Sequence, residues 1–203
     1  MNLNLKNKLL FSFKILLIYF VLLTNSITLE NNKFINITEG SENAKIKILV
    51  YESLTCSHCA TFHNKVYPDL KKNFIDRGLV KIEFKSFPLD IAALNASKIA
   101  HCKNDGKSDI LHFLFFNQDI WLKGETIDQV NLNLKKIVNK EDLGINFMEC
   151  INNSKIEDHI LIGRIEGEKK FEINSTPTLI INNRKFDKAI TYKNLKKAIE
   201  KLI

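Results

Sequence analysis

Cys56-Ser57-His58-Cys59 sets two thiols around a histidine. Cysteines at this spacing serve as half of a zinc site, as a structural bridge, or as a redox pair that exchanges thiol and disulfide. The redox role needs one sulfur held as a thiolate, the nucleophilic form. The flanking residues offer a means. Ile48-Leu49-Val50-Tyr51 is an apolar run that reads as a buried strand, and a helical pattern begins after Ser53-Leu54-Thr55. Cys56 then stands at a helix N-terminus, where free N–H groups converge and the dipole is positive. Thiols in such places have pKa values of roughly 3.5–7.5. Thr55 is the expected N-cap, and His58 brings a positive charge or an N–H donor.

The elements that must hold this junction follow from the pattern. Ile46 to Tyr51 is a strand, and Phe34, Ile35 and Ile37 add a short edge strand before it. Apolar residues at helical spacing run from Ala60 through Phe74; Pro68 should kink that helix and Gly78 ends it. Val80 to Phe87 alternates strictly, as a strand does. Strand, helix and strand make a β-α-β unit with parallel strands, and reactive groups collect at the carboxyl ends of such strands, where Cys56 lies. From Asp90 the pattern is helical: Ile91–Lys103, Lys107–Asn117, Thr126–Val138, Glu141–Cys150 and Asn152–Phe171. A helical block between strands reads as an inserted subdomain, residues 90–171, within a domain formed by 27–89 and 172–203. Leu179 to Ile181 is a strand, Asn182 to Lys185 a turn, Phe186 the start of a partner strand, and Tyr192 to Leu202 a helix capped by Thr191. Pro177, just before a strand, marks either an edge-strand start or a cis bond. That loop can lie beside Cys56 and offer the Thr176 backbone to an extended substrate segment.

Residues 1–26 carry Lys6 and Lys8, an apolar run from Leu9 to Leu23 and then Thr24-Asn25-Ser26, the order of a secretory signal. An uncleaved anchor is the alternative; either way the body is exported. That segment holds three lysines and no acids, so the net charge falls from +7 to +4 without it. The remaining lysines are scattered, with no basic stripe interleaved with aromatics, which argues against nucleic-acid binding. The other two of the four cysteines, Cys102 and Cys150, are either two buried free thiols or a disulfide closing a loop of about fifty residues; export favours the disulfide. A zinc site would draw on His63, His101, Cys102 or His159, none at finger-like spacing, so no metal is expected. His63, His101, His112 and His159 read as surface or capping residues, and Trp121 with Phe113, Phe115 and Phe116 as core or loop packing.

The C-x-H-C sequence after a strand, the helical insertion and Ser175-Thr176-Pro177-Thr178 together resemble the thioredoxin fold of DsbA-type thiol–disulfide oxidoreductases, over about residues 44–203. Tyr51–Cys59, Phe87–Ala96, Phe147–Ile151 and Phe171–Asn182 carry further likeness, most to the subgroup with a second cysteine pair in the helical domain. The fold class implied is α/β, a thioredoxin fold with a large inserted helical subdomain. The resemblance implies that Cys56 is the attacking cysteine, Cys59 the buried resolving one, His58 the histidine that stabilises the thiolate, and Thr176-Pro177 the cis-proline loop. It implies a periplasmic, monomeric enzyme without a cofactor that oxidises reduced exported proteins and is reoxidised by a membrane quinone-linked partner. Two departures stand out: Ser57 where the family often has proline, which puts the oxidising strength in doubt, and Val50 where many members carry an acid. Glu52 lies on the same strand face and is the candidate substitute as proton carrier for Cys59. The competing readings are an isomerase or reductant on the same fold, and a binding or chaperone module whose C-x-x-C is structural.

Overall fold

The computed structural model describes residues 34–203; the expected export signal at 1–26 lies outside them. Ile37–Glu39 (β1), Ile46–Glu52 (β2), Val80–Ser86 (β3), Thr178–Ile181 (β4) and Arg184–Lys185 (β5) form one sheet in the order β1-β3-β2-β4-β5. β2 and β3 run parallel, from Ile46 opposite Val80 to Glu52 opposite Ser86. β1 on β3, β4 on β2 and β5 on β4 are antiparallel. Strand alternation gives the sheet two apolar faces. Ile46, Ile48 and Val50 enter the main core, while Leu49 and Tyr51 join Phe87, Ile173 and Ile180 on the other side. Glu52 continues the Ile48–Val50 row and therefore points into the main core.

The crossover between β2 and β3 is one helix over residues 57–75 (α1) built of four pieces: Ser57–Thr61 and Tyr67–Leu70 in α register, Phe62–Val66 and Lys71–Ile75 in π register. The expected kink at Pro68 takes this form. Pro68 sits in the first turn of its α piece, where a missing N–H costs least, and the preceding π turn absorbs the register change.

After β3 come Ile91–His101 (α2), Asp109–Phe116 (α3), Gln118–Trp121 (α4), Ile127–Lys140 (α5), Phe147–Ile151 (α6) and Ser154–Phe171 (α7); Tyr192–Glu200 (α8) follows β5. Asp90, Thr126, Asn146, Asn153 and Thr191 cap their helices by accepting from backbone N–H groups. α7 lies against β3, and Gly167 sits so close to Tyr51 that a Cβ there would come within 2.4 Å of the ring. Trp121 is fully buried with its Nε1–H donating to the Leu114 carbonyl at 2.8 Å. Cys102 and Cys150 are bonded, Cα to Cα 5.4 Å, across 48 residues. On the chain-entropy model such a closure is worth about 4 kcal/mol.

The structure corrects several expectations. The helix expected over Glu141–Cys150 shrinks to α6, because Asp142 and Gly144 adopt left-handed backbone and Asn146 starts the helix afresh. The last hairpin is tighter than expected. Asn182 and Asn183 both take positive φ, as a two-residue turn requires, so the partner strand is Arg184–Lys185 and not Phe186. Thr55 is not the cap of α1. Cys56 holds that position, and the Thr55 hydroxyl donates to Asp90 at 2.7 Å. His63 and His101 are buried and not surface groups; the ring of His63 has partners at both nitrogens, and Nε2 of His101 meets Ser86 at 3.1 Å. His112 is largely buried between Glu39 and His63, and His159 is half-buried, stacked on Phe34.

Candidate active site

β2 ends at Glu52, and the chain turns over Ser53 and Leu54 to enter α1. The turn is held on several sides. The Cys56 N–H donates to the Ser53 carbonyl at 3.0 Å and the Phe87 N–H to the Glu52 carbonyl at 2.7 Å. Asp90 holds Thr55 with one carboxylate oxygen and caps α2 with the other. From α4, the Gln118 amide donates to the carbonyls of Leu54 at 2.8 Å and Cys56 at 3.1 Å. Sequence reading missed Gln118. A buried glutamine beside a buried tryptophan was the signal, but nothing in the chain says which carbonyls it meets.

Cys56 is half-buried and Cys59 fully buried, both as free thiols. β4 pairs Thr178 with Tyr51, which brings the preceding loop to the end of β2. The Thr176–Pro177 peptide bond is cis, and Cys56 Sγ lies 3.3 Å from the Thr176 carbonyl oxygen. A protonated Cys56 can donate there. The Thr176 hydroxyl is buried without a hydrogen-bond partner, which leaves it as a donor for the ionised sulfur. The Cys56 pKa is pulled down to about 5. The Cys59 thiol donating to it is the largest cause, and the Thr176 side chain and the backbone N–H groups of Cys59 and His58 add to it against burial. Those two amides face the capping position, as at any helix start, though short of a full capping bond. The His58 ring itself is exposed. Burial first, then the neighbouring Cys56 and Glu52, push the Cys59 thiol far up, so it keeps its proton. One sulfur is poised to attack or leave and the other is silent until its proton is removed.

Glu52 is 2 % exposed, and burial holds its carboxyl well above the usual carboxylate range. Oε2 lies 2.7 Å from Nε2 of His63, and Oε1 is buried without a partner. Cys59 and His63 are one helical turn apart on the inward face of α1. His63 stacks on Phe115, ring centroids 4.0 Å apart, and burial pushes its pKa down to about 3, so it is neutral. Its Nδ1 is 2.9 Å from Nδ1 of His112, whose Nε2 is 2.8 Å from Glu39 Oε1.

The comparisons bear on this arrangement. A family model described as thioredoxin matches residues 35–201. A Rickettsia conorii protein named as a candidate protein-disulfide oxidoreductase is 24% identical over 147 residues, 70% of this chain and 52% of that protein. The chain thus spans about half the length of that relative. Disulfide bond formation protein D of Bacillus subtilis is 24% identical over 171 residues, 80% of this chain and 74% of that protein. The crystal structure of Wolbachia pipientis alpha-DsbA1 superposes with a TM-score of 0.74 at 30% identity, covering 82% of this chain and 90% of that one.

Proposed function

The chain belongs to the thioredoxin family, on its DsbA branch, and from that premise we propose that it is a thiol–disulfide oxidoreductase that donates the Cys56–Cys59 disulfide to reduced exported proteins. The observation that carries the reading is the Cys56 sulfur at the start of α1 beside Thr176-Pro177, with a pKa near 5. In the oxidised protein a substrate thiolate attacks Cys56 Sγ, the Cys56–Cys59 bond breaks, and Cys59 leaves as a thiolate that takes a proton. Glu52, a buried acid beside it, is the carrier of that proton. A second substrate thiolate attacks the substrate sulfur of the mixed disulfide, the substrate leaves oxidised, and Cys56 leaves as the stabilised thiolate. Every group that favours the Cys56 anion makes the oxidised pair a stronger oxidant. His58 offers a positive charge or an N–H donor from the rim, and the Thr176 backbone next to the proline offers an edge to an extended substrate segment.

The protein works after export, in the periplasm, as a monomer, with a membrane quinone-linked partner restoring the disulfide. Residues 90–171 serve as a helical subdomain over the 27–89 and 172–203 frame. Cys102–Cys150 is its structural bridge. The test is the equilibrium of the Cys56–Cys59 pair with glutathione. A pair markedly more oxidising than glutathione fits a donor. A pair more reducing than glutathione removes the donor reading and leaves a reductant.

A further inference from the structure

Glu52, His63, His112 and Glu39 come from β2, α1, α3 and β1, and their polar atoms meet in one unbroken file at 2.7, 2.9 and 2.8 Å. The far end is at the surface. Glu39 accepts from the Tyr67 hydroxyl at 2.6 Å and from the Ser108 hydroxyl, and Lys71 Nζ is 3.3 Å away. Glu39, Tyr67, Ser108 and His112 line a cleft of about 670 Å³ whose rim includes exposed Lys107 and Asp109. The register sets Glu39 opposite Ile82, whereas Glu52 is opposite Ser86. The backbones of the two residues are therefore about 13 Å apart along the strands and about 10 Å across them, and their side chains and the two rings close that gap.

With His112 as a neutral ring, the donor directions follow from one end of the file to the other. Glu39 is a carboxylate: burial alone would raise its pKa, but the hydrogen bonds from His112, Ser108 and Tyr67 hold it at about 2. Nε2 of His112 must then carry the proton it donates. In a neutral ring that leaves Nδ1 of His112 as acceptor, so Nδ1 of His63 is the donor between the rings. Nε2 of His63 is then an acceptor, and Glu52 must be the acid that donates to it, as its burial demands. All donors point the same way, from the buried end to the surface. Phe115 on His63 and Tyr67 on His112, the latter at 4.4 Å, clamp both rings in place.

We propose that this file is a proton relay that connects Cys59, through Glu52, to water in the cleft at Glu39. The inference rests on the exchange reading above. When Cys59 attacks a mixed disulfide at Cys56, the new bond is Cys56–Cys59, the bond to the outer sulfur breaks, and that sulfur leaves reduced while the protein pair is oxidised. The Cys59 proton goes to Glu52. Glu52 gives its Oε2 proton to Nε2 of His63, His63 gives its Nδ1 proton to His112, and His112 gives its Nε2 proton to Glu39, which releases it to water. Each ring exchanges one tautomer for the other and neither is charged at the end. In the opposite half-reaction, when the Cys59 thiolate is expelled, the same steps run inward and restore both tautomers.

The test isolates one half-reaction in the full chain. Cys56 is converted to its mixed disulfide with glutathione, and release of glutathione by Cys59 is followed by rapid quench. Glu39→Gln and His112→Phe should each slow release about tenfold or more, with the alkylation midpoint of Cys56 unmoved. The parent should release glutathione at least twofold more slowly in D2O, with a bowed proton inventory. In the reduced parent, ¹⁵N spectra should find His63 protonated at Nδ1 and His112 at Nε2. Rates within twofold of the parent in folded variants overturn the relay; where a variant fails to fold, a parent rate unchanged in D2O overturns it. A parent that never releases glutathione sinks the exchange reading and the relay with it, whereas a prompt parent matched by its variants sinks the relay alone.

Discussion

Replacing Cys59 by alanine should raise the Cys56 pKa more than any other single change at the site. The Cys59 thiol is the largest of the influences that hold Cys56 at about 5. Hydrogen bonds to charged groups are worth about 1.5–3 kcal/mol. At 1.36 kcal/mol per pKa unit the loss amounts to about 1–2 units, partly offset because Cys56 is only half-buried and water screens its charge. A shift of about 1.5 units takes the ionised fraction at pH 5 from about half to about 3%. Alkylation of Cys56 by iodoacetamide at pH 5 should then slow about fifteenfold, while at pH 8, where both forms are ionised, the rates should agree within a small factor. Thiolate absorbance followed against pH gives the midpoint independently. A midpoint within a few tenths of a unit of the parent would refute the reasoning. It would mean that the helix N–H groups and the Thr176 hydroxyl hold the anion without help from the second sulfur.

His58→Ala should raise the Cys56 midpoint by less than Cys59→Ala does, because the exposed ring acts through water while its amide, which stays, acts directly; the same absorbance titration checks this. Gln118→Ala strips the donor from two carbonyls of the Cys56 turn and should cost about 1–3 kcal/mol in urea unfolding, with a visible change in Cys56 reactivity. Stability should also fall with acid. His63 and His101 are held neutral by burial with pKa values near 3, so the unfolded chain binds more protons than the fold from about pH 6.5 down to about 3, and stability is lost as pH falls through that window. Glu52 works the other way, keeping a proton in the fold above the ordinary carboxylate value. The two rings together lose about 3 kcal/mol between pH 6.5 and 5, and Glu52 offsets part of that loss. Urea curves at the two pH values that coincide would contradict the neutral, buried assignment of the two rings.

The β-α-β frame was legible because it is local. Ile46–Glu52 and Val80–Ser86 carry their pairing in their own alternation, and Cys56 marks the turn between strand and helix. Glu52 came into view through the resemblance, which implies an acid where Val50 stands; the strand alternation then put Glu52 on the same face. Burial of His63 and His112 was not legible. Each looks polar and isolated on its own helix, and the file they form exists only when α1, α3 and β1 are brought together by pairings far apart in sequence. Asn182-Asn183 was a different failure. Two asparagines are a recognised pattern for a tight hairpin with positive φ, and reading four turn residues there instead of two displaced the last strand.

The covalent link between Cys102 and Cys150 encloses Gln118, whose amide grips the carbonyls of Leu54 and Cys56. Before that crosslink closes, the amide must find its two carbonyls from a segment free of the restraint that a 48-residue closure imposes. Closing that bond therefore narrows the search that brings Gln118 to the reactive turn, so the covalent state of one cysteine pair bears on the shape around the other.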